Sequence, residues 1–138
     1  MMQSTHILLL EDDTSLAEML QFVVDELNLQ ITTVETVDEA REAFVNNSSI
    51  NLGVIDYNVP GSESAYDDKS HTGYLPELFS SRPNFDYLFI TGDTELSLKK
   101  AKEYGAIDIL RKPFSCEDLQ KVIEGILQRK ELCESNAL

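Results

Sequence analysis

Glu11, Asp12 and Asp13 stand in a row directly after the apolar run Ile7–Leu10, and a further carboxylate, Asp56, ends the run that begins at Leu52. Thr91 closes another apolar run with Gly92 behind it, and Lys112 lies just past a last one, Ile107–Leu110. Carboxylates gathered in one pocket repel each other, and without a counter-charge at least one pKa is driven up. Two counter-charges suit such a set. A hard divalent cation takes oxygen ligands, and Mg²⁺ uses one or two carboxylates together with waters and phosphate oxygens. The Lys112 ammonium is the other, and the Thr91 hydroxyl donates to an anionic oxygen. Together these groups meet the needs of phosphoryl transfer to a carboxylate. The carboxylate accepts the group as an aspartyl phosphate, while cation and lysine neutralise the charge building on it. Gly92 leaves room beside the acceptor for the phosphoryl oxygens.

These residues act together only if the ends of their runs meet. Strand-like segments at His6–Leu10, Gln30–Val34, Leu52–Asp56, Tyr87–Thr91 and Ile107–Leu110 alternate with segments of helical period. The first and third are nearly continuous apolar runs, as in strands covered on both faces. Leu16, Leu20, Val23, Val24 and Leu27 form one buried helical stripe, and Leu119, Val122, Ile123, Ile126 and Leu127 form another. Thr36-x-x-Glu39 is a capping box opening the second helix, and Ser115-x-x-Asp118 is a weaker one opening the last. A fourth helix is expected over Thr94–Glu103, lightly apolar and carrying a Glu95–Lys99 pair. Successive βα units imply an α/β fold with a doubly wound five-stranded parallel sheet, in the flavodoxin-like order 2-1-3-4-5. Ligands of such sheets sit at the carboxyl ends of the strands, where the polar residues above are found.

Length and composition fit one domain over residues 1–138, its core at about 5–130, with a polar, aperiodic loop at about 60–72. The net charge of −14 repels nucleic-acid phosphates, so no direct nucleic-acid binding is expected. No apolar run approaches the roughly 20 residues of a membrane span, and the first residues lack a signal-peptide pattern. A cytoplasmic protein without membrane contact is the expectation, with Cys116 and Cys133 as reduced thiols. His6 and His71 are too few and too isolated for a zinc site.

From about Thr5 to about Arg129 the chain resembles the receiver domain of two-component response regulators, the CheY-like superfamily. Ile7–Asp13 resembles the first-strand motif. Asp56, trailed by Asn58 and Pro60, resembles the acceptor segment; Thr91-Gly92 and Gly105–Phe114 resemble two further signatures. The resemblance implies Asp56 as phospho-acceptor, with Mg²⁺ held by Glu11, Asp12, Asp56 and the backbone carbonyl of Asn58. It gives Thr91 and Lys112 one phosphoryl oxygen each, makes the Lys112-Pro113 bond cis, and implies a short-lived phosphoryl group. Asp13 fits either a water-mediated metal contact or an N-terminal charge on the first helix. The implied partners are a sensor histidine kinase or phosphotransfer protein and an effector. The effector would meet the face of the fourth helix, fifth strand and fifth helix, on a monomer or weak dimer. The sequence leaves open whether this is a stand-alone signal carrier or a piece of a larger regulator.

Two departures from the family pattern stand out. Ile109 occupies the position of a Tyr or Phe whose ring swings inward when the neighbouring Thr engages phosphate. It reads here as a strand residue packed on the fourth helix. The second is the stretch after Pro60, where the best match to the family's next glycine is Gly73. That stretch reads as a solvated loop with Tyr66 its only apolar anchor, the other reading being partner selection or shielding of the acyl phosphate. A haloacid dehalogenase-type phosphatase is disfavoured because Asp56-Tyr57-Asn58 lacks the second Asp such enzymes use as general acid. No enzyme is therefore expected. A phosphorylation-independent interaction module is the alternative, supported by Ile109 alone.

Overall fold

The computed structural model describes residues 4–66, 74–94 and 96–136. In β1 (His6–Leu10) every residue is buried because successive side chains enter opposite layers. Leu8 and Leu10 join one cluster, Ile7 and Leu9 the other. β3 (Leu52–Asp56) and β4 (Asp86–Thr91) divide in the same way. Ile55, Tyr87 and Phe89 face the first cluster; Leu52, Val54, Leu88 and Ile90 face the second. With β2 (Gln30–Val34) and β5 (Asp108–Arg111) they form a parallel sheet in the order β2-β1-β3-β4-β5, as the strand pattern predicts.

Helices cover both faces. α1 (Thr14–Glu26) buries Leu20, Val23 and Val24, and α6 (Cys116–Asn136) buries Leu119, Ile123 and Ile126 in the same cluster. The opposite cluster receives Val37, Ala40 and Phe44 from α2 (Val37–Asn46) and Ala65 from α3 (Ser62–Ala65). Leu75 and Phe79 of α4 (Leu75–Ser80) and Ala101 of α5 (Leu98–Glu103) complete it. The N-cap hydroxyl bond forms at both expected boxes, and the box at Ser115 is reciprocal. Thr36 Oγ1 accepts from the Glu39 amide at 3.1 Å, and Ser115 Oγ accepts from the Asp118 amide at 3.0 Å. The carboxylates answer, Glu39 accepting from the Glu35 amide and Asp118 from the Ser115 amide.

Several expected bounds change. The helix expected from Thr94 begins at Leu98, because the Ser97 hydroxyl caps the Lys100 amide and Leu96 turns into the core instead. The expected Glu95–Lys99 pair involves a residue outside those described; among the described residues Lys100 and Glu103 approach to 3.8 Å. The aperiodic stretch after Pro60 contains one helical turn, α3, while Gly73 and most of the rest lie outside the described residues. β4 also starts one residue early, at Asp86, and β5 is Asp108–Arg111 rather than Ile107–Leu110.

At the amino-terminal edge of the sheet, cations replace hydrophobic closure. The Arg82 guanidinium donates to the carbonyls of Phe44, Ile50 and Asn47 at 2.7, 2.9 and 3.2 Å while lying over the Phe44 ring. Lys130 of α6 donates to the Asn51 and Asn84 carbonyls at 2.9 and 2.8 Å. His6 sits there too, between Ser49 Oγ at 2.8 Å and Thr32 Oγ1 at 2.7 Å.

Two predictions follow from this packing. A Cβ on Gly53 would stand 2.7 Å from Phe85 Cζ and 2.9 Å from Tyr87 Cβ. Gly53→Ala is therefore expected to cost about 2 kcal/mol in urea unfolding, within the usual range for overpacking. Burial lowers the His6 pKa below its ordinary value, so the folded state binds fewer protons than the unfolded chain. The stabilising contribution is full above the unfolded value of about 6.5 and is lost as pH falls through the lowered folded value. His6→Gln should accordingly flatten the decline of urea stability between pH 7 and pH 5 relative to the parent.

Candidate functional site

Strand register gathers the polar residues. Leu10 lies opposite Ile55, so the next residues, Glu11 and Asp56, come side by side. Thr91 ends β4 one residue beyond Ile90, the partner of Asp56, and Lys112 follows Arg111, the partner of Thr91. Backbone bonds carry the alignment past the strand ends. The Glu11 amide donates to Val34 O at 3.0 Å, Tyr57 to Ile90 O at 3.1 Å and Lys112 to Thr91 O at 2.8 Å. The Lys112-Pro113 peptide bond is cis.

Glu11 and Asp56 are buried while Asp12 is exposed, yet one carboxylate oxygen from each lies within 4.8 Å of the others. Lys112 Nζ reaches Asp56 Oδ2 at 3.0 Å and Glu11 Oε2 at 3.2 Å. Backbone donors take the other oxygens: the Asp13 amide donates to Glu11 Oε1 and the Asn58 amide to Asp56 Oδ1, both at 3.0 Å. Burial first, and then the hydrogen bond and charge of Asp56, raise the Glu11 pKa to about 7. Burial pulls the Lys112 pKa down, but the bonds and charges of Asp56 and Glu11 prevail and raise it. Glu11 Oε2 is buried and accepts no hydrogen bond among the described residues, having only its ion pair with Lys112. A set of oxygen donors carrying more negative charge than one lysine balances fits a hard divalent cation.

The remaining residues named from sequence stand around this group. The buried Thr91 accepts from the Asp93 amide through Oγ1 at 2.9 Å. Gly92 is exposed, and a Cβ there would meet only Lys112 Cβ, at 4.0 Å, so the space over it is open. Asp13 is the N-cap of α1, its Oδ1 accepting from the Ser15 amide at 2.9 Å. Ile109 is half-buried and packs on the same cluster as Tyr57, Tyr66 and Tyr104. Sequence reasoning missed Arg111. Its guanidinium donates to Asp93 O at 2.8 Å and to Leu96 O, holding the segment after Thr91 to β5. Its position next to Lys112 was the available signal.

Comparison with known proteins agrees with this geometry. The response regulator receiver domain family matches residues 7–124, and the chain belongs to it as a receiver domain of two-component response regulators. The transcriptional regulatory protein FixJ of Bradyrhizobium diazoefficiens is 25% identical over 127 residues, covering 91% of this chain and 58% of FixJ. DcuR of Escherichia coli K12, also a transcriptional regulatory protein, is 26% identical over 135 residues, covering 95% and 54%. The chain thus spans about half the length of the curated relatives it matches. A CheY-like receiver domain structure from Methanospirillum hungatei JF-1 shares the fold. Its TM-score is 0.74 at 23% identity, over 93% of this chain and 97% of that one.

Lys112 is the ammonium between two buried carboxylates, so Lys112→Met leaves them facing each other. Breaking a buried pair by removing one partner costs roughly 3–5 kcal/mol. Because the Lys112 side chain is 30% exposed, solvent screening lowers the expected loss to about 2 kcal/mol, measured by urea unfolding in EDTA at neutral pH.

Proposed function

We propose that the chain accepts a phosphoryl group on Asp56, in a Mg²⁺-dependent reaction, from the phosphohistidine of a sensor kinase or phosphotransfer protein. The observation that carries this reading is the buried Asp56 carboxylate, 3.0 Å from the Lys112 ammonium and grouped with Glu11 and Asp12. An Asp56 oxygen attacks phosphorus, the P–N bond breaks, and the imidazole leaves with its electron pair and takes a proton. Glu11, Asp12, Asp56 and the Asn58 carbonyl would hold Mg²⁺, which when bound offsets charge on the transferring group. Lys112 stays within reach of the acceptor and pairs with a phosphoryl oxygen. Thr91, released from the Asp93 amide, donates its hydroxyl to another. The Asn58 amide holds Asp56 Oδ1 and so fixes the plane of the attacking carboxylate.

In this reading the domain is its own substrate and works as a signalling module rather than as an enzyme. Phosphorylation alters the face made by α5, β5 and α6 and so the choice of partner, in the cytoplasm where sensor kinases present their phosphohistidines. The net charge of −14 argues against this domain touching nucleic acid itself. Among the described residues no helix is long and apolar enough to cross a membrane. Ile109 favours one other reading, an interaction module that binds without phosphorylation.

Acetyl phosphate and intact-mass measurement separate the two. One phosphoryl adduct is expected with Mg²⁺, none in EDTA and none in Asp56→Asn. Absence of an adduct in the parent protein with Mg²⁺ would leave the phosphorylation-independent module as the better reading.

A further inference from the structure

We infer that Tyr66 is a positioning residue whose ring couples the state of Asp56 to α5, an inference that rests on the phosphoacceptor reading above. Tyr57 follows the acceptor directly, and its amide is fixed on Ile90 O. The Tyr57 ring stacks on Tyr66 with centroids 4.8 Å apart and planes inclined by 25°. Tyr66 in turn meets Tyr104 at 5.4 Å and the edge of Phe89 at 5.4 Å. The Tyr57 and Tyr104 rings have centroids 6.4 Å apart and their side chains share a hydrogen bond, so the Tyr66 ring adds the closer ring contact to a pair already joined at its polar ends. Tyr104 is the C-cap of α5, and its carbonyl accepts from the Tyr87 hydroxyl at 2.6 Å. A row of rings therefore runs from the residue after the acceptor to the end of α5.

Two observations single out the Tyr66 ring in this row. Ile109 packs on the same cluster from β5 without supplying a ring, so the aromatic surface against Tyr104 comes from Tyr57, Tyr66 and Phe89. The Tyr66 hydroxyl is buried and finds no hydrogen-bond partner among the described residues. Among the described residues the contacts of the Tyr66 side chain are made by its ring, with Tyr57, Phe89 and Tyr104. α5 is suited to receive a displacement, since Ala101 is its one buried residue. When Asp56 changes state, its turn moves Tyr57, Tyr57 moves Tyr66, and Tyr66 bears on Tyr104.

The chain has five tyrosines and no tryptophan, so ring-labelled tyrosine NMR reads the row directly. Beryllofluoride with Mg²⁺ serves as the phosphoryl stand-in, its bound fraction is read from the ¹⁹F signal, and Tyr104→Phe assigns the resonance. In the parent protein and in Tyr66→Phe, binding should shift the Tyr104 signal equally, since the ring is retained. In Tyr66→Ala and Tyr66→Leu the shift should fall roughly threefold or more at equal occupancy, a loss typical of a broken coupling contact. Tyr66→Leu retains apolar bulk, and its melting curve separates loss of coupling from loss of fold. An unchanged Tyr104 shift in Tyr66→Ala or Tyr66→Leu would overturn the inference. A Tyr104 signal that stays put when the parent binds beryllofluoride would overturn it too. Failure of the parent to bind beryllofluoride at all would overturn the acceptor reading, and the inference with it.

Discussion

Two buried carboxylates, Glu11 and Asp56, share one ammonium, and the geometry of the rest of the molecule serves to keep them there. Their mutual repulsion favours moving apart, and the Glu11 pKa, raised first by burial and then by Asp56, records that tension. What prevents separation is the parallel register of β1, β3, β4 and β5, continued past the strand ends by the backbone bonds of Glu11, Tyr57 and Lys112. The arrangement also sets the sign of what enters. One lysine against Glu11, Asp12 and Asp56 leaves a negative site, so an anionic group approaches favourably only in company with a cation.

The two faces of the sheet support this site with different materials. The cluster under α1 and α6 has an entirely aliphatic buried core: Ile7, Leu9, Leu20, Val23, Val24, Leu52, Val54, Leu88, Ile90, Leu119, Ile123 and Ile126. The cluster under α2–α5 contains Phe44, Phe79, Phe85, Tyr87 and Phe89, with Tyr57, Tyr66 and Tyr104 packed on it. Interlocked aliphatic side chains tolerate little displacement, since close-packed interiors answer small volume changes with strain. The ring-rich side is also the side of the short helices α3, α4 and α5, which have few buried residues each.

Much of this was legible in the sequence for identifiable reasons. Strands buried on both faces leave unbroken apolar runs, so β1 and β3 were recognised to the residue. Long helices with a full stripe, such as α1, left a 3.6-residue period that Leu20, Val23 and Val24 bear out. The gathering of Glu11, Asp12 and Asp56 followed from strand order together with the rule that ligands sit at the carboxyl ends. Less legible were features without a period. α5 begins at Leu98 because a serine hydroxyl competes for an amide, a choice between two nearby caps that Thr94 and Ser97 offer alike. The depth of Tyr66 was hidden as well. A lone aromatic in a polar stretch carries no sign of whether it lies on the surface or under it, and its partners Tyr57 and Tyr104 are remote in sequence.

Arg111 joins the site to the segment that leads into α5. Its guanidinium grips the carbonyls of Asp93 and Leu96, on either side of the turn between Thr91 and α5. Its backbone continues directly into Lys112, whose ammonium grips Asp56 and Glu11. On the proposed function, a shift of Lys112 toward a phosphoryl oxygen would reach the entrance to α5 through the neighbouring Arg111. The exit of α5 is held by Tyr104, through the Tyr87 hydroxyl on its carbonyl and the stacked rings on its side chain. On the coupling inferred above, a short helix with one buried residue, held at one end by an arginine and at the other by a row of rings, would move when either hold shifts. Both grips originate beside the same carboxylate.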